Sequence, residues 1–183
     1  MPGETGTQYF TQLAASGVTV RVLTNSLEAT DVTAVHAGYA RRRKTLLEGG
    51  VDLYELRRAA GTGKETGKGP FGSSGSSLHA KTFAVDAERV FVGSLNFDPR
   101  SANLNTELGL VIESPVLATQ IEQAFWTRVP QLAYEAHLDA NGDLYWTRLS
   151  GDTVVRYDTE PNTKWNQRLG VWFFSILPIE WLL

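Results

Sequence analysis

The chain has 183 residues, of which 42% are hydrophobic and 20% charged, a composition typical of one globular domain with its own apolar core. Its formal net charge of −3 gives no overall attraction for polyanions, so binding to nucleic acid would depend on a local basic patch. The absence of cysteine excludes disulfides, thiolate metal sites and cysteine nucleophiles, and it leaves the cellular compartment open.

The first 56 residues alternate between helices and strands. Hydrophobic spacing predicts a helix over residues 5–16, a strand over 18–23, a second helix over 31–47 and a second strand over 51–56. Right-handed crossovers place such helices against the faces of a sheet. The order therefore predicts an α/β fold in which a mostly parallel or mixed sheet is flanked by helices.

The next segment, residues 57–77, is rich in glycine, serine and lysine and is predicted to be a mobile loop that forms a lid or rim. It lacks the Gly-x4-Gly-Lys spacing of a phosphate-cradling loop. Between Arg41 and Lys68 there are eight basic and four acidic residues, a local charge of +4. This basic run fits either a solvated helix face or a phosphate-attracting surface.

A hairpin follows, with strands predicted over 78–85 and 89–94 around a turn at residues 86–88. A further strand over 105–112 and a long helix beginning at Ser114 or Pro115 complete a predicted domain of residues 1–138. Residues 139–160 are predicted to form a small β appendix. Residues 161–183 are predicted to form an apolar C-terminal tail.

The hairpin carries a polar motif that reads His79-x-Lys81-x4-Asp86-x6-Gly93-Ser94-x-Asn96. Six fixed positions match by chance on the order of once in a million chains of this length, so the motif is specific. Residues two apart on a strand share a face, so His79 and Lys81 point the same way, as do Ser94 and Asn96. With the turn centred near Ala87, Ser94 and Asn96 are expected opposite Lys81 and His79.

These four side chains predict a phosphate site. Phosphoryl transfer needs cationic or hydrogen-bonding groups around the phosphate oxygens, a role that suits Lys81 and Asn96. Histidine suits the nucleophile or the acid, because it changes protonation near neutral pH and its two nitrogens act separately. The three histidines are scattered at positions 36, 79 and 137 without a paired acidic cluster, so we predict no metal and no cofactor.

The motif resembles the signature of the phospholipase D superfamily, whose members cut or exchange phosphodiesters through a phosphohistidine intermediate. In that family an acidic residue shortly after the Gly-Ser-x-Asn element holds the second nitrogen of the histidine, and Glu107 stands at the matching position here. Asp86 belongs to the motif but lies on the hairpin turn, where a structural role through hydrogen bonds or an ion pair is expected. The resemblance implies no metal.

The resemblance extends to most of the chain. Residues 23–26, 31–39, 98–101 and 177–180 look like the second half of bacterial cardiolipin synthases of the C-type. The candidate substrate-binding residues lie in or near these stretches and are Asn25, Ser26, His36 and Arg100. His36 lies on a predicted helix, where an ordinary packing or surface role is the alternative.

Cardiolipin synthases of this kind hold two motif copies, join phosphatidyl groups to a lipid alcohol and work peripherally at the cytoplasmic face of the inner membrane. This sequence has one motif, so the resemblance implies that the second copy comes from a missing N-terminal half or from a homodimer mate. In the paired enzymes the second histidine is usually the general acid and base, which would be the role of His79. The expected partners are a phospholipid substrate and a membrane surface, and nucleic acid is not favoured.

Two other functions remain open. A homodimer with two facing His79 residues would be a complete hydrolase or nuclease, whereas an unpaired fragment would bind phosphate or membrane without turnover. The chain begins at Met1-Pro2, where a first strand would be expected to be already complete, and this favours a truncated product.

The tail from Gly170 to Leu183 is the most apolar stretch of the chain. It is shorter than the roughly 20 apolar residues that cross a bilayer, and Pro178 would break a continuous helix. The tail either packs against the domain or lies in a lipid interface, where tryptophan is favoured. We favour the interface.

Overall fold

The computed structural model describes residues 2–30, 33–58, 78, 80–96, 101 and 104–176. Its helices are α1 (Glu4–Ala15), α2 (Thr33–Glu48), α3 (Pro115–Thr127), α4 (Val129–Leu132) and α5 (Trp165–Ile176). Its strands are β1 (Arg21–Asn25), β2 (Asp52–Leu56), β3 (Thr82–Val85), β4 (Arg89–Gly93), β5 (Gly109–Glu113), β6 (Ala133–Leu138), β7 (Leu144–Ser150) and β8 (Thr153–Tyr157). The predicted α/β class is confirmed.

The strands form two mixed or antiparallel sheets in the described part of the chain. Five strands follow the order β1-β2-β6-β7-β8, and three follow the order β3-β4-β5. Among the strand pairs that the structure describes, β1 with β2 is parallel and the others are antiparallel. The expectation of a mixed sheet is confirmed and that of a mostly parallel sheet is not, because β6, β7 and β8 join the larger sheet in antiparallel pairs.

Strand β6 was not predicted from the sequence, although it lies between β2 and β7 in the larger sheet. Its residues Ala133, Tyr134 and Ala136 are all buried, so the alternation that marks a half-buried strand is missing. The hairpin of β7 and β8, predicted as an appendix, continues the same sheet through the pairing of β6 with β7. The boundary expected at residue 138 therefore coincides with no break in the sheet.

The main core lies between α2 and the five-stranded sheet. Its largest apolar side chains are Tyr39 and Leu46 from α2, Leu53 from β2, Tyr134 from β6 and Trp146 from β7. Phe10 and Ala14 of α1 pack against the edge of this cluster. Helix α1 is followed by Gly17, whose φ of 92° is a backbone conformation that glycine adopts without strain.

Helix α5 forms from the first part of the predicted tail and packs along α2. Val171 of α5 is buried in a small cluster with Leu27 and Ala37. Residues 177–183 of the tail lie outside the described residues. Among the helices that the structure describes, none is long and apolar enough to cross a membrane.

Candidate active site

The motif hairpin is formed by β3 and β4. Thr82 pairs with Val92, and the ladder continues with a hydrogen bond of 3.1 Å from the Gly93 amide to the Lys81 carbonyl. Lys81 therefore lies opposite Gly93, and the expected pairing of Lys81 with Ser94 is wrong by one residue. The reason is symmetry about the turn: residues 86–88 form a three-residue loop, so positions equally far from Ala87 face each other.

The turn of the hairpin has a left-handed backbone. Asp86 and Ala87 have φ values of 53° and 52°, and the Glu88 amide donates to the Val85 carbonyl at 3.0 Å. Aspartate adopts this conformation more readily than most residues, which gives Asp86 a backbone role at the turn. Five residues of extended chain separate Asp86 from Lys81, about 16 Å, so the two side chains lie at opposite ends of the hairpin.

Ser94 and Glu107 meet at the end of β4. The Ser94 hydroxyl donates to Glu107 Oε2 at 2.5 Å and accepts from the Leu108 amide at 3.0 Å. The pairing of β4 with β5 brings them together, since Gly93 lies opposite Gly109. Asn105, which was not among the predicted site residues, donates from Nδ2 to Glu107 Oε1 at 3.3 Å.

Close packing around Gly93 explains why the Gly-Ser element begins with glycine. The ring of Phe91 stacks on Phe83 at 4.8 Å and covers Gly93 and Gly109. A Cβ atom on Gly93 would lie 2.7 Å from the Phe91 ring and 2.6 Å from the Leu108 carbonyl oxygen, and one on Gly109 would lie 2.3 Å from the ring. A side chain at either position would therefore force the Phe91 ring to shift, and at position 93 it would also clash with the backbone of Leu108.

The pKa of Glu107 lies below its ordinary value. The hydrogen bond from Ser94 lowers it most, hydrogen bonds from Ser101 and Asn105 lower it further, and the charge of Lys81 adds to this, while desolvation opposes the shift. Glu107 is therefore ionised at neutral pH. The described part of the site thus combines an ionised carboxylate, a hydroxyl and a nearby ammonium group.

Asn25 fixes the start of the motif segment. This last residue of β1 donates from Nδ2 to the Leu78 carbonyl at 3.0 Å, and its Oδ1 accepts from the Leu78 amide at 2.7 Å. Its side chain thus satisfies both backbone groups of the residue before His79, as a neighbouring strand would. Asn25 was predicted to bind substrate; in this structure its amide group joins the motif segment to the five-stranded sheet.

Ser26 and His36 are buried in this structure. The Ser26 amide donates to the Leu56 carbonyl, and its buried hydroxyl has no hydrogen-bond partner among the described residues. The ring nitrogen Nε2 of His36 lies 3.1 Å from Arg43 Nη2 and 3.5 Å from Glu160 Oε1. Their predicted contact with substrate would require a change in these surroundings.

A buried ionic cluster, absent from the sequence-based predictions, surrounds His36. Arg43 lies 3.1 Å from Glu55 and donates to Glu160 at 2.8 Å, and the Tyr39 hydroxyl donates to Glu55 at 2.9 Å. Burial raises the pKa of Glu55, although the charge of Arg43 opposes this. Burial acts in the same direction on Glu160, but the charge of Arg43 and contacts with His36 outweigh it and lower that pKa to about 2.

Arg43 had been counted in the basic run as part of a solvated or phosphate-attracting surface. The structure buries it instead. Its spacing offered a signal, because His36, Tyr39 and Arg43 lie at positions i, i+3 and i+7 and so share one face of a helix. Glu160, which lies 117 residues from Arg43 in the sequence, gave no such signal.

The remaining predicted residues differ in their placement. Lys81 is half-buried, and Asn96 is exposed just after β4. His79 and Arg100 lie outside the described residues. No group of three or more histidine, aspartate or glutamate side chains within the described ranges is arranged to hold a metal ion.

The fold and the sequence of this chain are both similar to those of known proteins. The structure is similar to the crystal structure of Nuc, a phospholipase D family member from Salmonella typhimurium, with a TM-score of 0.55 and 17% sequence identity over 75% of this chain and 76% of that chain. At this identity the likeness shows the fold alone. Residues 1–129 match the family model described as cardiolipin synthase, PLD-like domain. The chain belongs to this family.

Longer relatives match over nearly the whole chain. Cardiolipin synthase C of Escherichia coli K12 is 45% identical over 186 residues, which include all of this chain and 39% of that protein. An uncharacterized protein of Helicobacter pylori strain 26695 is 29% identical over 181 residues, 97% of this chain and 34% of its own length. The chain thus spans well under half the length of these relatives.

Proposed function

We propose that this chain supplies one half of a phospholipase D-type active site, which breaks and exchanges phosphodiester bonds in a cardiolipin synthase. The observation that carries the proposal is the contact of Ser94 with the ionised Glu107 at the end of the motif hairpin, near Lys81. The family match and the 45% identity to Cardiolipin synthase C support the same chemistry.

The proposed reaction uses two histidines, one from each motif. The nucleophilic histidine attacks phosphorus through a ring nitrogen, the bond from phosphorus to the leaving oxygen breaks, and the other histidine donates a proton to that oxygen. The incoming alcohol then gives its proton to this second histidine and attacks phosphorus, which breaks the P–N bond. His79 is assigned the proton-transfer role.

The other motif residues stabilise charge in this scheme. Lys81 offsets the negative charge on the nonbridging phosphate oxygens, and Asn96 donates hydrogen bonds to them. Glu107 accepts the second ring N–H of a histidine and so holds its tautomer. Ser94 and Asn105 hold the carboxylate of Glu107 in place through their hydrogen bonds. Asn25 positions His79 through Leu78.

We further propose that the second motif comes from the remainder of a longer protein, because the matched relatives are more than twice as long as this chain. A second copy of the chain is the alternative source. The substrate is then a phospholipid of the phosphatidylglycerol type, and the site works peripherally at the cytoplasmic face of the inner membrane.

To test the proposal, phosphatidylglycerol vesicles are incubated with this chain and with the separately produced part of the longer protein that carries the other motif, here called the first-motif half. The lipid products are then separated. Cardiolipin and free glycerol are the expected products, since one phosphatidyl group is transferred to the alcohol of a second lipid. Formation of phosphatidic acid alone would identify a hydrolase. Cleavage of nucleic acid by a dimer of this chain, with lipid untouched, would contradict the proposal.

A further inference from the structure

Helix α5 presents an apolar face to solvent. Trp165, Leu169, Trp172 and Phe173 are 72%, 52%, 60% and 56% exposed. Their spacing of i, i+4, i+7 and i+8 places them in one stripe about 100° wide along the helix. Val171 lies outside this stripe and is buried against α2. These four exposed side chains are hereafter called the α5 stripe.

A stripe of this kind differs from ordinary exposed apolar residues. Single apolar side chains are common on protein surfaces, whereas a contiguous patch of large ones marks a contact with a protein or a membrane. Here two tryptophans and a phenylalanine share one helix face. Tryptophan is favoured at the level of lipid headgroups, where its ring is partly apolar and its N–H remains hydrated.

The charges around the stripe select the kind of surface that it fits. Residues 161–176 contain Lys164 and Arg168 and no aspartate or glutamate. Both cations flank the exposed face at its N-terminal end. A helix with an apolar face and basic flanks is the type that lies in the plane of an anionic lipid surface. Acidic flanks would instead be repelled by the negative charge of the lipid headgroups.

The buried side of α5 packs against the segment that follows β1. Val171 packs against Leu27, which follows Asn25 by two residues, and Asn25 binds the backbone of Leu78 next to His79. Helix α5 and the motif segment are thus anchored at the same end of β1.

We propose that the α5 stripe is the surface by which this protein binds anionic membranes. The inference rests on the proposed function for the identity of the lipid, while the contact itself follows from the helix. Binding places Trp165, Leu169, Trp172 and Phe173 among the headgroups and leaves the α2-facing side of the helix unchanged. Lys164 and Arg168 contact lipid phosphates.

The test compares two single charge substitutions at exposed apolar positions. Trp172→Glu lies in the stripe, and Val154→Glu lies on β8, where the side chain is 68% exposed. Flotation of the full chain is measured with phosphatidylcholine vesicles that contain or lack phosphatidylglycerol. Trp172→Glu is expected to weaken binding to the anionic vesicles about tenfold or more, because it adds a like charge and removes an interfacial ring. Val154→Glu is expected to bind as the wild type does, and Trp172→Phe to retain most of the binding.

Further measurements distinguish membrane binding by the α5 stripe from a contact with another protein. Brominated lipid should quench tryptophan emission of the wild type, and most of that quenching should vanish when Trp165 and Trp172 are both replaced by phenylalanine. No vesicle binding by the wild type, or equal binding by Trp172→Glu, overturns the proposal. A complex with the first-motif half, or a dimer, that dissociates in Trp172→Glu identifies the stripe as a protein interface and also overturns it. Turnover of a soluble phosphodiester by the paired halves reports on the proposed function separately, since it needs no membrane.

Discussion

The two sheets of this protein handle polar residues differently. Between α2 and the five-stranded sheet, Arg43 and Glu55 are buried together, and Glu160 completes the ion pairs. In the three-stranded sheet the polar residues Ser94 and Glu107 contact each other at the surface. The first region pairs its charges within the chain, while the second holds its polar groups where another molecule can reach them.

Apolar residues follow the same division. Leu53, Tyr134 and Trp146 of the five-stranded sheet pack into one core with α2. Val92, Leu110 and Val111 of the three-stranded sheet are exposed. Buried charge pairs are costly to break, and exposed polar groups contribute little to stability. The comparison therefore predicts that substitutions in the first region reduce stability, and that substitutions in the second reduce activity alone.

The largest expected effect is on turnover. His79→Ala in a paired assembly should lower kcat by about 10⁴-fold or more, because the reaction loses a group that transfers a proton or attacks phosphorus. The thermal unfolding temperature should stay close to that of the wild type. Product formation and calorimetry are measured on the same sample. Activity lost together with cooperative unfolding would show that His79 supports the fold.

Substitution in the buried cluster should have the opposite signature. Arg43→Met is expected to lower the free energy of unfolding by about 3–5 kcal/mol, because it leaves Glu55 and Glu160 without their cation. Arg41→Met, two positions away on the exposed side of α2, is the matched control and should change stability by less than about 0.5 kcal/mol. Urea unfolding measures both. Equal effects of the two substitutions would disprove the separation of the two regions.

The pH dependence of stability sharpens the same point. The pKa of Glu160 is lowered from 4.5 to about 2 in the folded protein, so its contribution is fully present above about pH 4.5 and is lost as pH falls toward 2. That contribution is on the order of 3 kcal/mol. Glu160→Gln should therefore be less stable than the wild type at neutral pH, and the gap should narrow between pH 4.5 and 2. The charge of Glu160 also helps to raise the pKa of Glu55, so Glu160→Gln lowers that pKa and the pH dependence reports on the two carboxylates together.

The smallest expected effect concerns Asn25, which lies in β1 of the five-stranded sheet and binds the backbone of Leu78 ahead of the motif hairpin. Asn25→Ala removes both hydrogen bonds to Leu78, and kcat of the paired assembly should fall by about tenfold while KM changes little, since His79 is then less well positioned. Asn25→Asp keeps the acceptor for the Leu78 amide but sets an oxygen against its carbonyl. It should therefore lower kcat as well. A rise in KM with kcat unchanged would instead support the predicted contact of Asn25 with substrate.

Local sequence patterns predicted the features that are local. Helices α1, α2 and α3, the motif hairpin and its three-residue turn follow from periodicity and turn chemistry within a few residues of each position, whereas α5 was predicted only as part of an apolar tail. The register of Lys81 with Gly93 depends on counting outward from the turn, where an error of one residue changes the facing partner.

Long-range pairings could not be predicted in this way. Strand β6 is recognisable only once β2 and β7 lie on either side of it, because its buried run has no alternating pattern. The cluster of Arg43, Glu55 and Glu160 joins residues from three distant segments, and the Asn25 contact with Leu78 spans 53 residues. Each of these contacts is a product of the tertiary fold, and no periodicity near the individual residue encodes it.

The central claim is that this chain supplies one half of an active site, and its most direct test is whether turnover requires a second motif. The rate of cleavage of a soluble phosphodiester is measured for this chain alone over a range of protein concentrations, with the mass determined by sedimentation, and again after addition of the first-motif half. If the chain supplies half of the active site, the monomer should show no turnover. Activity should appear when the first-motif half is added and should disappear with His79→Ala. A monomer that turns over substrate with constant specific activity at every concentration would contradict it.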